Sequence, residues 1–242
     1  MSRFYVPPEC VADGKIMIRG DELHHARDVM RLASGDVIAA FDGSGKEYHG
    51  VILDVGKEQM TVRIDKTIER KVEGCRLILV QALPKLDKMD LIIEKATELG
   101  VAKIIPVTTG RTVVRTDAKK ENSKAERWRK ITLVAAKQCG RSTIPEVMPV
   151  TGFADALKAL NDAEIKIIPS LSGNTKALKE VLKGRKVKSA AVFIGPEGDF
   201  TEKEINDAEA AGAIPVSLGP EVLRSETAAI CALSVLNYEL RW

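Results

Sequence analysis

The hydrophobic pattern changes character once along the chain, near residue 73. Before that point the apolar runs are short and stop at turn residues. Lys15-Ile16-Met17-Ile18-Arg19 alternates, Asp36 to Phe41 meets the turn Asp42-Gly43-Ser44-Gly45, and Glu47–Val55 and Gln59–Ile68 flank Gly56. Short strands punctuated in this way predict a small β-barrel over residues 1–72. A single helix is expected from Gly20 to Met30, capped by Asp21 or its neighbour.

Beyond residue 73, longer helical patterns alternate with short apolar runs, which predicts an α/β sheet. Arg76–Ala82 reads as its first strand. A helix follows over Lys85–Leu99, with Leu86, Met89, Ile93 and Ala96 on one face, Lys85, Lys88 and Lys95 on or near another, and Gly100 at its end. Val101–Val107 reads as a strand, and Arg111, Arg115, Lys119, Lys120 and Lys124 as a polar connection. Helices are expected over Ala125–Cys139, Phe153–Leu160 and Leu178–Lys183, and a strand over Ile165–Pro169 that leads into Ser170-Leu171-Ser172-Gly173. Thr201-Glu202-Lys203-Glu204 matches a capping box, so a helix is expected from Thr201 to about Ala211. The last helix opens near Ser225 or Glu226.

The stretch Gly195 to Ala229 organises the second region. Two apolar runs, Ala190–Ile194 and Ile214–Leu218, stop at Gly195-Pro196-Glu197-Gly198 and Gly219-Pro220-Glu221. Each reads as a buried strand ending in a tight loop. Two such ends side by side make a cleft where backbone approaches a ligand closely, or they are ordinary turns. The segment lacks GxGxxG and GxxxxGK[ST], so nicotinamide and ATP are poorly supported. Arg224 reads either as a group steering phosphate or carboxylate, or as a local ion pair with Glu226 or Glu221. His24 and His25, with Arg27 and Arg31, read as an RNA-facing edge or as a barrel cap.

Composition narrows the class. With 45% hydrophobic and 29% charged residues the chain is neither disordered nor membrane-spanning in character. No apolar run approaches the ~20 residues of a transmembrane helix, and Met1 to Pro8 has no signal core, so a cytoplasmic location is expected. Cys10, Cys75, Cys139 and Cys231 are widely spaced, as expected of free thiols. The histidines are His24, His25 and His49, and no metal site is expected. The net charge of +3 is uneven. Residues 1–73 hold 11 Lys and Arg against 13 Asp and Glu, residues 74–150 hold 15 against 8, and residues 151–242 hold 11 against 13. The basic middle third suits a polyanion partner or is a solvated face.

Several segments carry a resemblance when taken together: His24-His25-Ala26-Arg27-Asp28-Val29-Met30-Arg31-Leu32, Lys88-Met89-Asp90 with Glu94 to Val101, Ala136 to Arg141, Ile194 to Gly198 with Phe200, and Leu218-Gly219 with Leu223 to Ala228. In this order they resemble the bacterial 16S ribosomal RNA uridine-N3 methyltransferases of the knotted SPOUT superfamily. Lys137 stands where that family more often has Glu, and Pro220-Glu221 replaces a more basic pattern.

The resemblance implies an N-terminal PUA/OB-like RNA-binding barrel over residues 1–72. It further implies an α/β trefoil-knot methyltransferase domain over 73–242, a homodimer, and small-subunit 16S rRNA as substrate. S-adenosylmethionine would be held by Leu171, Ile194, Gly195, Pro196, Glu197, Gly198, Ser217, Leu218, Gly219, Leu223, Arg224, Thr227 and Ala228. Arg3, His24, His25, Arg27, Arg31, Lys85, Lys88, Arg111, Arg115 and Arg141 would meet RNA. Removing the uracil N3 proton needs a base or an anion-stabilising cation. With no histidine after residue 49, the base would be Glu197 or Glu226, unless His24 or His25 reaches across, and Arg224 would stabilise charge. The competing readings are a 2′-O-ribose RNA methyltransferase and a non-catalytic RNA binder with a degenerate pocket.

Overall fold

The computed structural model describes residues 2–70, 74–85, 88–112, 118–171 and 174–241, with backbone alone for 118–122. The chain divides into two units, Met1–Val72 with Ala136–Ile144, and Glu73–Ala135 with Pro145–Trp242.

The first unit contains β1 (Ser2–Tyr5), β2 (Val11–Ala12), β3 (Lys15–Ile18), helix α1 (Gly20–His24), β4 (Val37–Phe41), β5 (Lys46–Val55) and β6 (Met60–Glu69). The strands join in the order β1-β4-β5-β6-β3-β2, antiparallel except where β1 lies parallel to β4. Alternation works as read: Ile16 and Ile18 turn inward with Phe4, Ile38, Ala40, Ile52, Met60 and Val62. The helix is shorter than expected and changes type. After His24 the backbone widens into a π-helical turn, His25–Val29, in which the Met30 N–H reaches the His25 carbonyl. Asp21 does not cap α1; Arg19 holds the N-cap position and no side chain bonds there.

Side-chain bonds explain why Ala136–Ile144 belongs to the first unit. Arg3 donates to Glu47 Oε2 and to Ser142 Oγ, both at 3.1 Å, and lies 4.3 Å from the centre of the Phe41 ring. Ser142 Oγ also donates to Glu47 Oε2, and His49 Nε2 donates to Glu47 Oε1 at 2.7 Å. Lys137 donates to Glu22 Oε1 at 2.6 Å.

The second unit contains β7 (Arg76–Ala82), α2 (Lys88–Glu98), β8 (Lys103–Thr108), α3 (Ala118–Cys139, its last turn counted with the first unit), β9 (Glu146–Val147), β10 (Thr151–Gly152), α4 (Phe153–Lys158) and β11 (Ile165–Pro169). It continues with β12 (Lys176–Ala177), α5 (Leu178–Leu182), β13 (Ser189–Ile194), α6 (Glu202–Ala210), β14 (Ala213–Ser217) and α7 (Ser225–Arg241). The strands are all parallel, in the order β10-β8-β7-β13-β11-β14-β12, with β9 beside β8.

A parallel sheet buried on both faces explains the near-continuous apolar strands. Leu77 and Leu79 of β7 join one core with Ile92 and Ile93 of α2, Val181 of α5 and Leu233 of α7. Ile78 and Val80 point the other way, to Phe153 of α4 and Ile205 of α6.

Three expectations need correction. The strands ending at Gly195 and Gly219 are not neighbours: β11 lies between them and pairs with both, through Ile167↔Val192 and Ile167↔Ile214. The stretch from Ala118 is already helical, so Lys119, Lys120 and Lys124 lie on α3 rather than on a connection. Helix α2 begins at Lys88, not Lys85. Leu86 and Arg115 lie outside the described residues. No helix among the described residues is long and apolar enough to cross a membrane.

Two measurements test this account. The capping box of α6 is complete, with Glu204 N–H donating to Thr201 Oγ1 and Thr201 N–H donating to Glu204 Oε2. Thr201→Ala should cost about 1 kcal/mol, seen as a melting point lower by roughly 2–4 °C. The second concerns Glu47. Burial pushes its carboxyl up, but the bonds from His49 and Ser142 and the charge of Arg3 outweigh burial and hold it below the ordinary 4.5. The unfolded chain therefore takes up this proton first as pH falls, so the stabilisation is present above 4.5 and is lost below it. In urea titrations the stability gap between wild type and Glu47→Gln should be wide at neutral pH and narrow below pH 4.5.

Candidate active site

A cavity of about 250 Å³ lies at the C-terminal ends of β13, β11 and β14, which are adjacent in the sheet. This is where open parallel sheets bind ligands, because the loops diverge there and leave backbone groups unpaired. The walls are Pro169, Ser170 and Leu171 after β11; Ile194 to Glu197 and Asp199 after β13; Val216 to Gly219 and Glu221 to Arg224 after β14; and Ser225 and Ala228 of α7.

Local bonds hold the loops together. The Asp199 backbone is left-handed, with φ 60°, a conformation that aspartate tolerates better than most residues. Its carboxylate accepts from Leu171 N–H at 3.1 Å and from Phe200 N–H at 2.8 Å, joining the β11 and β13 loops. At Gly195 a Cβ would lie 3.1 Å from Asp199 Oδ1, so a larger residue would crowd the Asp199 carboxylate within the same loop. Gly219 has φ 146°, open to glycine and strained for a side chain. Buried Ser225 donates to the Gly195 carbonyl at 2.7 Å and accepts from Gln81 Nε2 at 3.0 Å, which fixes the start of α7 against the β13 loop.

A charged group lies alongside. Glu197 accepts from Lys85 N–H at 3.1 and 3.2 Å and from Lys88 Nζ at 3.0 Å. Burial pushes its carboxyl up, but bonds from backbone N–H groups and Lys88 outweigh burial and hold it below its ordinary value. Lys88 Nζ also stands 3.4 Å from Glu226 Oε2. That contact is an ion pair without hydrogen-bond geometry, and the oxygen is buried with no hydrogen-bond partner. The hydrogen bond with Glu197, then the contact with Glu226, raise the Lys88 ammonium above its ordinary value.

Of the residues expected at a cofactor, Leu171, Ile194, Gly195, Pro196, Glu197, Ser217, Leu218, Gly219, Leu223, Arg224 and Ala228 line the cavity. Gly198 and Thr227 do not. Gly198 turns toward Arg111, whose Nη1 donates to its carbonyl at 2.6 Å, and Thr227 is exposed on α7. Glu226 stands behind the wall, against Lys88, rather than on it. The local pair with Glu221 or Glu226 does not form: Arg224 is exposed, and among the described residues no acid pairs with it. Sequence reasoning did not single out Gln81 or Asp199, and it met Ser225 only as part of the polar start of the last helix. A lone Gln inside the apolar run of β7 is the signal that was available for the first.

The residues expected at RNA divide. Arg3 is half-buried, and its guanidinium is committed to Glu47 and Ser142. Arg27 is bound at Nε and Nη2 by Asp28, both at 2.8 Å, and Nη1 donates to the Lys57 carbonyl. His25 packs edge-on against Phe4. His24 is exposed and bonded to Asp28 at 2.7 Å, and Arg31 is exposed. Arg141 donates to Thr143 Oγ1. Lys85 and Arg111 are exposed, whereas Lys88 is taken up by two carboxylates.

The donor set fits a nucleoside-like ligand. Apolar walls from Leu171, Ile194, Val216, Leu218 and Leu223 suit a flat ring, and the loops offer backbone N–H and C=O for its edges.

Comparison with known proteins agrees with this arrangement. Residues 71–237 match a family profile described as an RNA methyltransferase domain, and residues 18–65 match an RNA methyltransferase PUA domain. The chain is 35% identical over 228 residues to ribosomal RNA small subunit methyltransferase E of Bacillus subtilis, covering 92% of this chain and 89% of that one. A crystal structure of the Neisseria gonorrhoeae ribosomal RNA small subunit methyltransferase E bound to S-adenosyl methionine superposes with TM-score 0.87 at 29% identity, covering 98% and 97% of the two chains. A putative methyltransferase from Legionella pneumophila with bound SAM gives TM-score 0.86 at 34% identity, covering 98% and 96%. With a PUA-like first unit and a parallel α/β methyltransferase unit, the chain belongs to the ribosomal RNA small subunit methyltransferase E family.

Proposed function

We propose that this protein methylates N3 of a uridine in the 16S rRNA of the small ribosomal subunit, as a cytoplasmic homodimer, with S-adenosylmethionine as methyl donor. The observation that carries the reading is the apolar cavity at three adjacent strand ends, in a chain that aligns along 98% of its length with a relative solved with S-adenosyl methionine. S-Adenosylmethionine supplies an electrophilic methyl group. The protein must hold the uracil nitrogen in line with that group, exclude water and manage one proton.

The side chains divide these tasks. The loops at Leu171, Ile194–Glu197 and Ser217–Gly219 bind and orient the donor. Arg224, exposed at the cavity and not paired to an acid, meets the negative charge that develops on the uracil ring, or an RNA phosphate. Glu197 is engaged by Lys85 N–H and Lys88 and holds its loop in shape. Glu226 stands behind the wall against Lys88, so it would reach the N3 proton only when that contact opens. Arg31, Lys85 and Arg111, all exposed, supply phosphate contacts whose strength falls with salt.

Methyl transfer from labelled S-adenosylmethionine to small subunits lacking the modification, with nucleosides identified by mass spectrometry, tests the reaction. 3-Methyluridine is expected. A 2′-O-methyl nucleoside would overturn the target, and a chain that binds no donor would be the non-catalytic RNA binder. Arg224→Ala should lower turnover by roughly 100-fold or more, while donor affinity, measured by calorimetry, changes far less.

A further inference from the structure

We propose that Lys88 is a positioning residue of the cavity: one ammonium joins the β13 loop at Glu197 to helix α7 at Glu226 and sets how far the site favours a cationic ligand over a neutral one. The inference rests on reading the cavity as the S-adenosylmethionine site.

Two bridges connect these walls. The inner one is neutral and buried, with Ser225 Oγ donating to the Gly195 carbonyl. The outer one is charged, with Lys88 Nζ 3.0 Å from Glu197 Oε1 and 3.4 Å from Glu226 Oε2. The three side chains are 26%, 25% and 14% exposed, so the contacts are partly shielded from water. Lys88 is also the one cation within 4 Å of Glu226 among the described residues, and the buried Oε2 of Glu226 has no hydrogen bond to fall back on. Removing the ammonium leaves two carboxylates facing each other with nothing between them, and their repulsion drives the walls apart.

The charge balance gives this arrangement a signature that a packing role lacks. The triad carries one net negative charge, and without Lys88 it carries two. S-Adenosylmethionine is positive at sulfur, whereas its product, S-adenosylhomocysteine, is neutral there. A more negative wall attracts the sulfonium and leaves the thioether indifferent. Loss of Lys88 therefore weakens both ligands by opening the walls, but weakens the product more. Loss of the Glu226 charge has the opposite sign and reduces the preference for the sulfonium.

The test is calorimetric titration of the full chain with S-adenosylmethionine and with S-adenosylhomocysteine, at low and high salt. Lys88→Met should bind the product at least ~10-fold more weakly, and its donor-to-product preference should rise by about threefold, the size of one unit charge acting through a half-solvated cleft. The rise should shrink at high salt. Lys88→Arg should keep wild-type values, and Glu226→Gln should lower the preference below wild type. Glu226→Gln provides the sign test even if Lys88→Met fails to fold. Equal loss of both ligands in Lys88→Met, or an unchanged preference in Glu226→Gln, would overturn the inference. Wild-type protein that bound neither ligand would overturn the functional reading, and the inference with it.

Discussion

The buried Ser225 hydroxyl sets the geometry on which the cavity depends. Gln81 lies inside an otherwise apolar strand, fully buried, and a buried amide without partners costs on the order of 1–3 kcal/mol. Its Nε2 donates to Ser225 Oγ and the Ala82 carbonyl, and the Ser225 hydroxyl donates to the Gly195 carbonyl. The first residue of α7 is thereby held against the β13 loop. Once it is held, Leu223, Arg224 and Ala228 fall on the cavity wall, and Glu226 turns toward Lys88.

Much of this architecture was legible because its causes are local. The period-2 alternation of Lys15–Ile18, the double-sided apolar runs of β7 and β13, and the capping box at Thr201 each state their element within a few residues. The loops after both Gly-Pro-Glu turns were legible for the same reason: an apolar run that stops at glycine has few alternatives. Strand order was not, because pairing is non-local. Nothing in Ala190–Ile194 or Ile214–Leu218 says that Ile165–Pro169 will lie between them.

The segment 136–144 was hidden for another reason. Helix α3 runs into it without a break in composition, and its attachment depends on single polar contacts, such as Ser142 with Glu47 and Lys137 with Glu22. Lys137 thus has a structural partner of opposite charge in Glu22. Asp199 was missed because its work is done by a carboxylate that bonds two backbone N–H groups, one of them on another loop.

Charge was the least legible property. A count of Lys and Arg measures supply, whereas binding a polyanion depends on which cations remain uncommitted. Arg3, Arg27 and Lys88 all belong to the basic inventory, and all are committed to carboxylates. At the cavity, Arg224 precedes the first residue of α7 and Glu226 lies in its first turn, and no ion pair joins the two among the described residues. Glu226 takes its cation from α2, and Arg224, exposed, lines the cavity with no acid paired to it among the described residues.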